Sequence, residues 1–415
     1  MVISLVTTKI PSLLRGRSQR RIVSSVSATD RTETFMFLNK KIKDYTTQLT
    51  QQGLLRQRSV ETPDAGALIH FDSNDYLSLT QDPRIAKAYQ RGYSLYPSGS
   101  GASMLLSGYH QTHHAVERAF ADLLAVDECI LFASGYAANL AITALLGKLK
   151  IHGFIDKEVH ASVYDGLALA QVNCTRYFHN DLFDLKRKLI THSANSALIT
   201  EGIFSMSGQI APLAAISSQC IENQTELLVD EAHSFGVLGE QGKGAVAYHG
   251  LNQNHVPLRV IPLGKAFAAQ GAVIAGQGDW ITALLQAGRS LIYSTAISPA
   301  LSYGLLNTLE VVAAADERRL KLQQLVALFR ELIQQSPFNW ADSSTAIQQL
   351  RLGCPHLALH YTQELKQRGI SCFAIRAPTV AKKETGLRVI VNYSHTPEQI
   401  HHLFNTLSAI YEYSP

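Results

Sequence analysis

Between about Pro97 and Ser298 the chain repeats one rhythm: a short β-rich apolar run, a turn, then a stretch with helical spacing. The runs read ECILFAS, GFIDKEV, SALITEG, TELLVDEA, LRVIPLG and AVIAG, with helical patterns such as GYAANLAITALLGKL and SVYDGLALA between them. Apolar strands separated by helices pair largely in parallel, because each crossover helix carries the chain back to the same end of the sheet. The expected fold class is therefore α/β, a large domain whose mostly parallel sheet is covered by helices. Ligands of such sheets sit beyond the carboxyl ends of the strands. Residues just after each apolar run are thus the first place to look for chemistry.

Two of those positions stand out. ELLVDEAHSFG places Asp230 and His233 at the end of one run, and RVIPLGKAFAAQG places Lys265 after another, 35 positions beyond Asp230. A lone lysine there is usually a surface charge, and a lone DxxH is usually a capping feature. Together they form the arrangement that pyridoxal 5'-phosphate (PLP) chemistry needs. The lysine amine holds the cofactor aldehyde as a Schiff base, and the carboxylate keeps the ring nitrogen protonated so that the ring accepts carbanion electrons.

After Pro299 the texture changes to a long helical segment over about 301–335, a helix over 357–368 and the strand-like GLRVIVNYS, a smaller α+β C-terminal domain. The expected division is a leader at 1–35, an N-terminal helical arm at 36–75, a PLP-binding large domain at 76–298 and a small domain at 299–415. The net charge of +4 comes from the leader, whose six basic residues face only Asp30 and Glu33; the other residues carry 31 bases and 31 acids. Nothing in that balance points to nucleic acid or an anionic membrane, and no run of 18 apolar residues offers a membrane span. The leader reads either as an organellar transit peptide or as sequence upstream of a start at Met36, where a helical pattern begins; that pattern favours the second reading. Five scattered cysteines, never in CxxC spacing, suit reduced thiols in a cytoplasm.

LFASGYAANL sets Ser134, Gly135 and Tyr136 between a strand and a helix start, where unpaired backbone N–H groups and the helix dipole favour a phosphate. Plain turn chemistry is the competing explanation, and Asp230 with Lys265 tips the balance to phosphate. YPSGSGASMLLSG is either a second phosphate cradle or a subunit-interface loop. Neither GxGxxG nor GxxxxGK[ST] occurs. His110, His113 and His114, and the pair His356 and His360, lack nearby cysteines and the HExxH glutamate, so they read as structural or surface histidines and no metal is expected. His160, beyond GFIDKEV, has a ring face able to stack on a pyridine.

Nine segments, in order, resemble the α-oxoamine synthases, a family of fold-type-I PLP-dependent transferases. They are SNDYL at 73–77, GSGAS at 99–103, SGYHQTHHAVE at 107–117, SGYAAN at 134–139, TEGIFSMSG at 200–208, VDEAHSFGVLGEQGKG at 229–244, GKAF at 264–267, IYSTAISPA at 292–300 and AIRAPTV at 374–380. The resemblance implies that Lys265 carries the cofactor, Asp230 meets the pyridinium nitrogen, His233 the ring oxygen and His160 the ring face, with Ser205 close by. It implies backbone donors to the phosphate from Gly135 and Tyr136, and hydroxyls of Ser294 and Thr295 reaching the phosphate of a partner subunit in a homodimer with shared active sites. Asn74 and Arg388 would take the substrate carboxylate, and Arg56 and Thr379 the acyl substrate.

SGYHQTHHAVE and AIRAPTV favour the branch that condenses L-alanine with a pimeloyl thioester, carried by CoA (pimeloyl-CoA) or by an acyl carrier protein (pimeloyl-ACP), in biotin biosynthesis. The alternatives are siblings that use glycine or serine with another acyl-CoA, and a non-catalytic scaffold or regulator on the same fold. Two positions depart from the family. Pro262 stands where relatives have a phosphate-binding threonine, which implies weaker cofactor affinity, and Phe235 stands where a smaller side chain is common.

Overall fold

The computed structural model describes residues 28–58, 60, 68–191 and 195–412. Two compact units divide after Gln57. In the first, the helical pattern expected to begin at Met36 belongs to the helix Ala28–Gln51. It ends there because Gly53 takes a left-handed conformation, φ 66°, and the amides of Leu54 and Leu55 turn back to the Leu49 carbonyl. Most of the leader lies outside the described residues.

In the second unit the strands, in chain order, are β1 Ile69–His70, β2 Glu128–Phe132, β3 His152–Asp156, β4 Cys174–Tyr177, β5 Ser196–Glu201, β6 Thr225–Asp230, β7 Leu258–Pro262 and β8 Ala272–Gly276. They continue with β9 Ile347–Arg351, β10 Ile370–Ser371, β11 Phe373–Ile375 and β12 Gly386–Ile390. Seven of them make the central sheet in the order β2-β8-β7-β6-β5-β3-β4. Its pairs are parallel except the two that β8 makes, with β7 and with β2. β5 is buried along its whole length and β6 along nearly all of it, as strands covered on both faces must be. The fold is α/β, that of a largely parallel sheet wrapped by helices.

The β6–β7 ladder runs from Leu228 opposite Leu258 to Asp230 opposite Val260 and ends there. Pro262, which has no N–H, therefore sits past the end of that ladder and costs it no hydrogen bond. A second, antiparallel sheet runs β11-β12-β9, and β1 pairs with β10. Chain entering the second unit is stitched to this sheet: the Ile390 amide donates to the Phe71 carbonyl at 2.7 Å and the Tyr393 amide to the Tyr76 carbonyl at 2.9 Å. One apolar core runs continuously from Phe120 and Phe267 through Leu305 to Leu387 and Leu403.

The long helix expected over 301–335 is two helices, Pro299–Ala313 and Asp316–Gln335. The corner is made by Arg319, which is buried and donates to the carbonyls of Val312, Ala313 and Gly236 at 2.8–3.1 Å while pairing with Asp316. A guanidinium satisfying the last carbonyls of one helix from inside the next ends the first one there. His113 is likewise structural, fully buried with Nε2 on the Ile297 carbonyl at 2.8 Å.

Candidate active site

The carboxyl ends of β5, β6 and β7 and the loops after β2 and β3 converge. Asp230 closes β6, Glu201 closes β5 as its register partner, and Lys265 follows β7 in the turn that leads to β8. Lys265 Nζ lies 2.8 Å from His233 Nε2, and His233 Nδ1 lies 2.6 Å from the Tyr76 hydroxyl. Tyr76 donates to Asn74 Oδ1 at 3.3 Å, which leaves its oxygen to accept from His233 Nδ1 and the Nε2 lone pair to face the amine.

Electrostatics fit this order. Burial, then the cations Lys265 and Arg388, holds His233 well below the usual histidine range, so it is neutral. Burial pushes the Tyr76 hydroxyl up to about 12. Burial brings the Lys265 ammonium down to about 8, against the opposing pull of Asp230 and Glu201. A lysine shifted this far presents a free amine at mildly alkaline pH and is a competent nucleophile for an aldehyde.

A chain of hydrogen bonds fixes Asp230. Asn139 Nδ2 donates to Asp230 Oδ2 at 2.8 Å and to Ser162 Oγ at 2.9 Å, Ser162 Oγ meets His160 Nδ1 at 2.8 Å, and the Ala232 amide takes Asp230 Oδ1 at 2.9 Å. His160 is also the N-cap of helix Ala161–Leu169, accepting from the Ser162 amide. With Nδ1 used in this way the ring is fixed in orientation while the residue stays exposed.

Asn139 sits one turn into helix Gly135–Lys148, so the helix N-terminus at Gly135 lies within about one 5.4 Å pitch of the Asp230 partner. Ser134 caps that helix through the Ala137 amide. A Cβ at Gly135 would come within 2.6 Å of the Pro262 ring. The proline thus packs where only glycine fits, beside the amides expected to face phosphate.

On the opposite side, Arg388 of β12 donates through Nη1 to Asn74 Oδ1 at 2.9 Å and through Nε to the Ser205 carbonyl at 2.6 Å, while its buried Nη2 has no partner. The Ser205 amide in turn meets Glu201 Oε2 at 3.2 Å.

The structure thus brings Lys265, Asp230, His233, His160, Asn74, Ser205 and Arg388 into one site. Thr379 lies on a neighbouring cleft of about 700 Å³, with Phe204, Met206, Lys157, Arg351 and Lys383. Ser294 and Thr295 are exposed; their segment is tied to the 99–103 loop by Ser100 Oγ donating to the Ala296 carbonyl and the Ala296 amide to the Ala102 carbonyl, at 2.7 and 3.0 Å. Tyr136 points its hydroxyl at Asp165. Arg56 is exposed in the N-terminal unit. Sequence reasoning assigned no role to Tyr76, Asn139, Ser162 or Glu201. Three of these lie inside segments that carried the resemblance, and that was the available signal.

The profile of the aminotransferase class I and II family matches residues 67–407. A serine palmitoyltransferase from S. paucimobilis, solved with a PLP–myriocin adduct, superposes with a TM-score of 0.82 at 24% identity, over 89% of this chain and 96% of that one; at that identity it speaks for the fold. The chain belongs to the aminotransferase class I and II family and is a fold-type-I transferase dependent on PLP.

Closer likenesses narrow the family. 8-Amino-7-oxononanoate synthase from Photobacterium profundum is 37% identical over 384 residues, 90% of this chain and 97% of that one. The solved 8-amino-7-oxononanoate synthase from Francisella tularensis is 31% identical with a TM-score of 0.74, over 84% of this chain and 99% of that one. Within its family the chain is a member of the 8-amino-7-oxononanoate synthases, PLP-dependent acyltransferases of biotin biosynthesis.

The residues present fit the cofactor. An amine with a depressed pKa stands between two carboxyl groups, a fully hydrogen-bonded carboxylate ends the neighbouring strand, and a side-chain-free helix start opens onto the same place.

Proposed function

We propose that the chain condenses L-alanine with a pimeloyl thioester, on CoA or an acyl carrier protein, releasing carbon dioxide, the free thiol and 8-amino-7-oxononanoate. Lys265 would hold the cofactor aldehyde, Asp230 its ring nitrogen, His233 its ring oxygen and His160 its ring face. Ser205 would line the pocket, and the amides of Gly135 and Tyr136 would meet the phosphate. PLP, when bound, supplies an electron sink for charge that develops on the amino-acid Cα.

Arg388 and Asn74 take the alanine carboxylate. The orphaned Nη2 supports this: a buried donor without an acceptor costs about 1–3 kcal/mol, which an incoming carboxylate restores. Lys265, free as an amine, removes the Cα proton and returns one after carbon–carbon bond formation and loss of carbon dioxide; general acid–base help of this kind is worth about 10²–10⁴-fold. The neutral His233 beside it accepts a hydrogen bond from the amine and so orients its lone pair. Thr379 contacts the acyl chain from the cleft that also carries Phe204 and Met206.

Exposed apolar side chains at Tyr93, Leu95, Leu106 and Tyr293 support a homodimer in which Ser294 and Thr295 reach the partner's phosphate. Five free cysteines fit a cytoplasmic setting. Among the described residues no helix is long and apolar enough to cross a membrane.

The observation that carries the reading is the Lys265 amine, 2.8 Å from His233 past the strand that neighbours Asp230, in a site where Arg388 Nη2 is buried without a partner. The test is product formation from pimeloyl-CoA with alanine, glycine or serine in parallel. The reading expects turnover with alanine to exceed the others; a clear preference for glycine or serine would replace it with a sibling activity.

A further inference from the structure

Glu201 is the buried ionisable group of the site that the reaction above leaves unused. It closes β5 directly opposite Asp230 in the parallel register, so the two side chains leave adjacent strands toward the same face. Both are buried, at 2% and 4% exposure. Their hydrogen bonding is unequal. Asp230 has a donor on each oxygen, Asn139 on one and the Ala232 amide on the other. Glu201 has no side-chain donor, only the backbone groups of Ser205, at 3.2 Å from Oε2, and of His160, and its Oε1 is buried with no close hydrogen-bond partner.

Two carboxylates side by side in a site shielded from water do not both ionise; the proton stays on the one whose charge is less well solvated. Around Glu201 stand Asp230, Lys265 and Tyr76, with the backbone at His160 also favouring its charge; Arg388 and His233 lie one contact further, through the Ser205 peptide and through Lys265. Burial and then Asp230 push its acid well above the usual carboxylate range, against Lys265 and the two backbone groups.

We propose that Glu201 is a positioning residue that keeps its proton in the working enzyme, so that Asp230 is the single anion of the strand ends and the cofactor's ring nitrogen and Lys265 have one counter-charge. This rests on the reading of Lys265 and Asp230 as the cofactor site. A second anion at 201 would draw the Lys265 ammonium back up and divide the attraction on the ring nitrogen. The neutral acid still accepts the Ser205 N–H, and Ser205 in turn takes the Arg388 Nε hydrogen bond, so Glu201 also fixes the arm that faces substrate.

The sign of the linkage is definite. A carboxyl whose folded pKa lies above its unfolded value lends the fold a proton-dependent stability that is complete below the unfolded value, near 4.5, and is lost as pH rises toward the folded one. The full-length holoenzyme with saturating PLP is melted as wild type, Glu201→Gln and Glu201→Ala across about pH 5 to pH 8. Glutamine reproduces the neutral acid without a proton to lose. The Tm of E201Q minus that of wild type is expected to rise with pH by roughly 1–3 °C, while E201A, lacking the Ser205 contact, melts below both throughout.

A carboxylic-acid C=O infrared band present in wild type and missing in E201Q at neutral pH is the second expected result. A Tm difference that falls with pH, or the lack of that band, would overturn the proposal, since either means an ionised Glu201. If E201Q does not fold, the E201A difference from wild type gives the same sign test. Borohydride labelling of a lysine other than Lys265 would sink the cofactor-site reading separately, whatever the melting curves give.

Discussion

The wall of the site built on Asp230 and the wall built on Arg388 are furnished differently. On the first, Asp230, Asn139, Ser162 and His160 are linked side chain to side chain by contacts of 2.8–2.9 Å. On the second, the Arg388 Nη2 donor is buried without a partner. A completed network is rigid and ready before any ligand arrives. Orphaned groups are tolerated where a ligand that comes and goes supplies the missing partner. We read the first wall as shaped for the resident cofactor and the second as waiting for a substrate carboxylate.

Substitutions can break this contrast. Asp230→Asn strikes the completed wall at its charge and should lower turnover by about 10²–10⁴-fold with a weaker PLP affinity, read from initial rates at saturating PLP and from equilibrium dialysis. Arg388→Met strikes the open wall. It should raise KM for alanine by about 10–150-fold, the equivalent of a charged hydrogen bond worth about 1.5–3 kcal/mol, while PLP affinity stays within about threefold. Equal loss of PLP affinity in both variants would erase the distinction between the walls.

Two smaller effects sharpen it. Because the Lys265 ammonium sits near 8, capture of PLP by cofactor-free chain should rise about tenfold from pH 7 to a plateau above pH 8, followed by absorbance in stopped flow. The sign follows from the depressed pKa: below about 8 the amine is protonated, and between 8 and the ordinary 10.5 the fold gains stability with pH as the unfolded chain alone holds the proton. Asn139→Ala should weaken PLP by about 2–10-fold, one neutral hydrogen bond's worth of about 0.5–1.5 kcal/mol, and leave KM for alanine where it was.

Asp230, His233 and Lys265 were legible in the sequence because strand ends announce themselves: an apolar run stops and a polar residue follows. The parallel sheet was legible for the same reason. The antiparallel placement of β8 was not, since AVIAG reads the same in either direction. Glu201 ends SALITEG as plainly as Asp230 ends its run, yet nothing local says that the two strands lie side by side. Asn139 reaches Asp230 across 91 positions, a pairing no spacing rule contains. The corner at Arg319 depends on a buried guanidinium meeting carbonyls of the preceding helix, and the alanine-rich stretch before it carries no breaker. Pro262 was visible as a departure, but its packing against Gly135 required the fold.

Everything returns to which amine carries the cofactor. Borohydride reduction of the PLP-loaded chain, followed by proteolysis and mass mapping, should place the pyridoxyl group on the peptide containing Lys265, and Lys265→Ala should carry no label. A pyridoxyl group on any other lysine, or label persisting in that variant, would contradict the account.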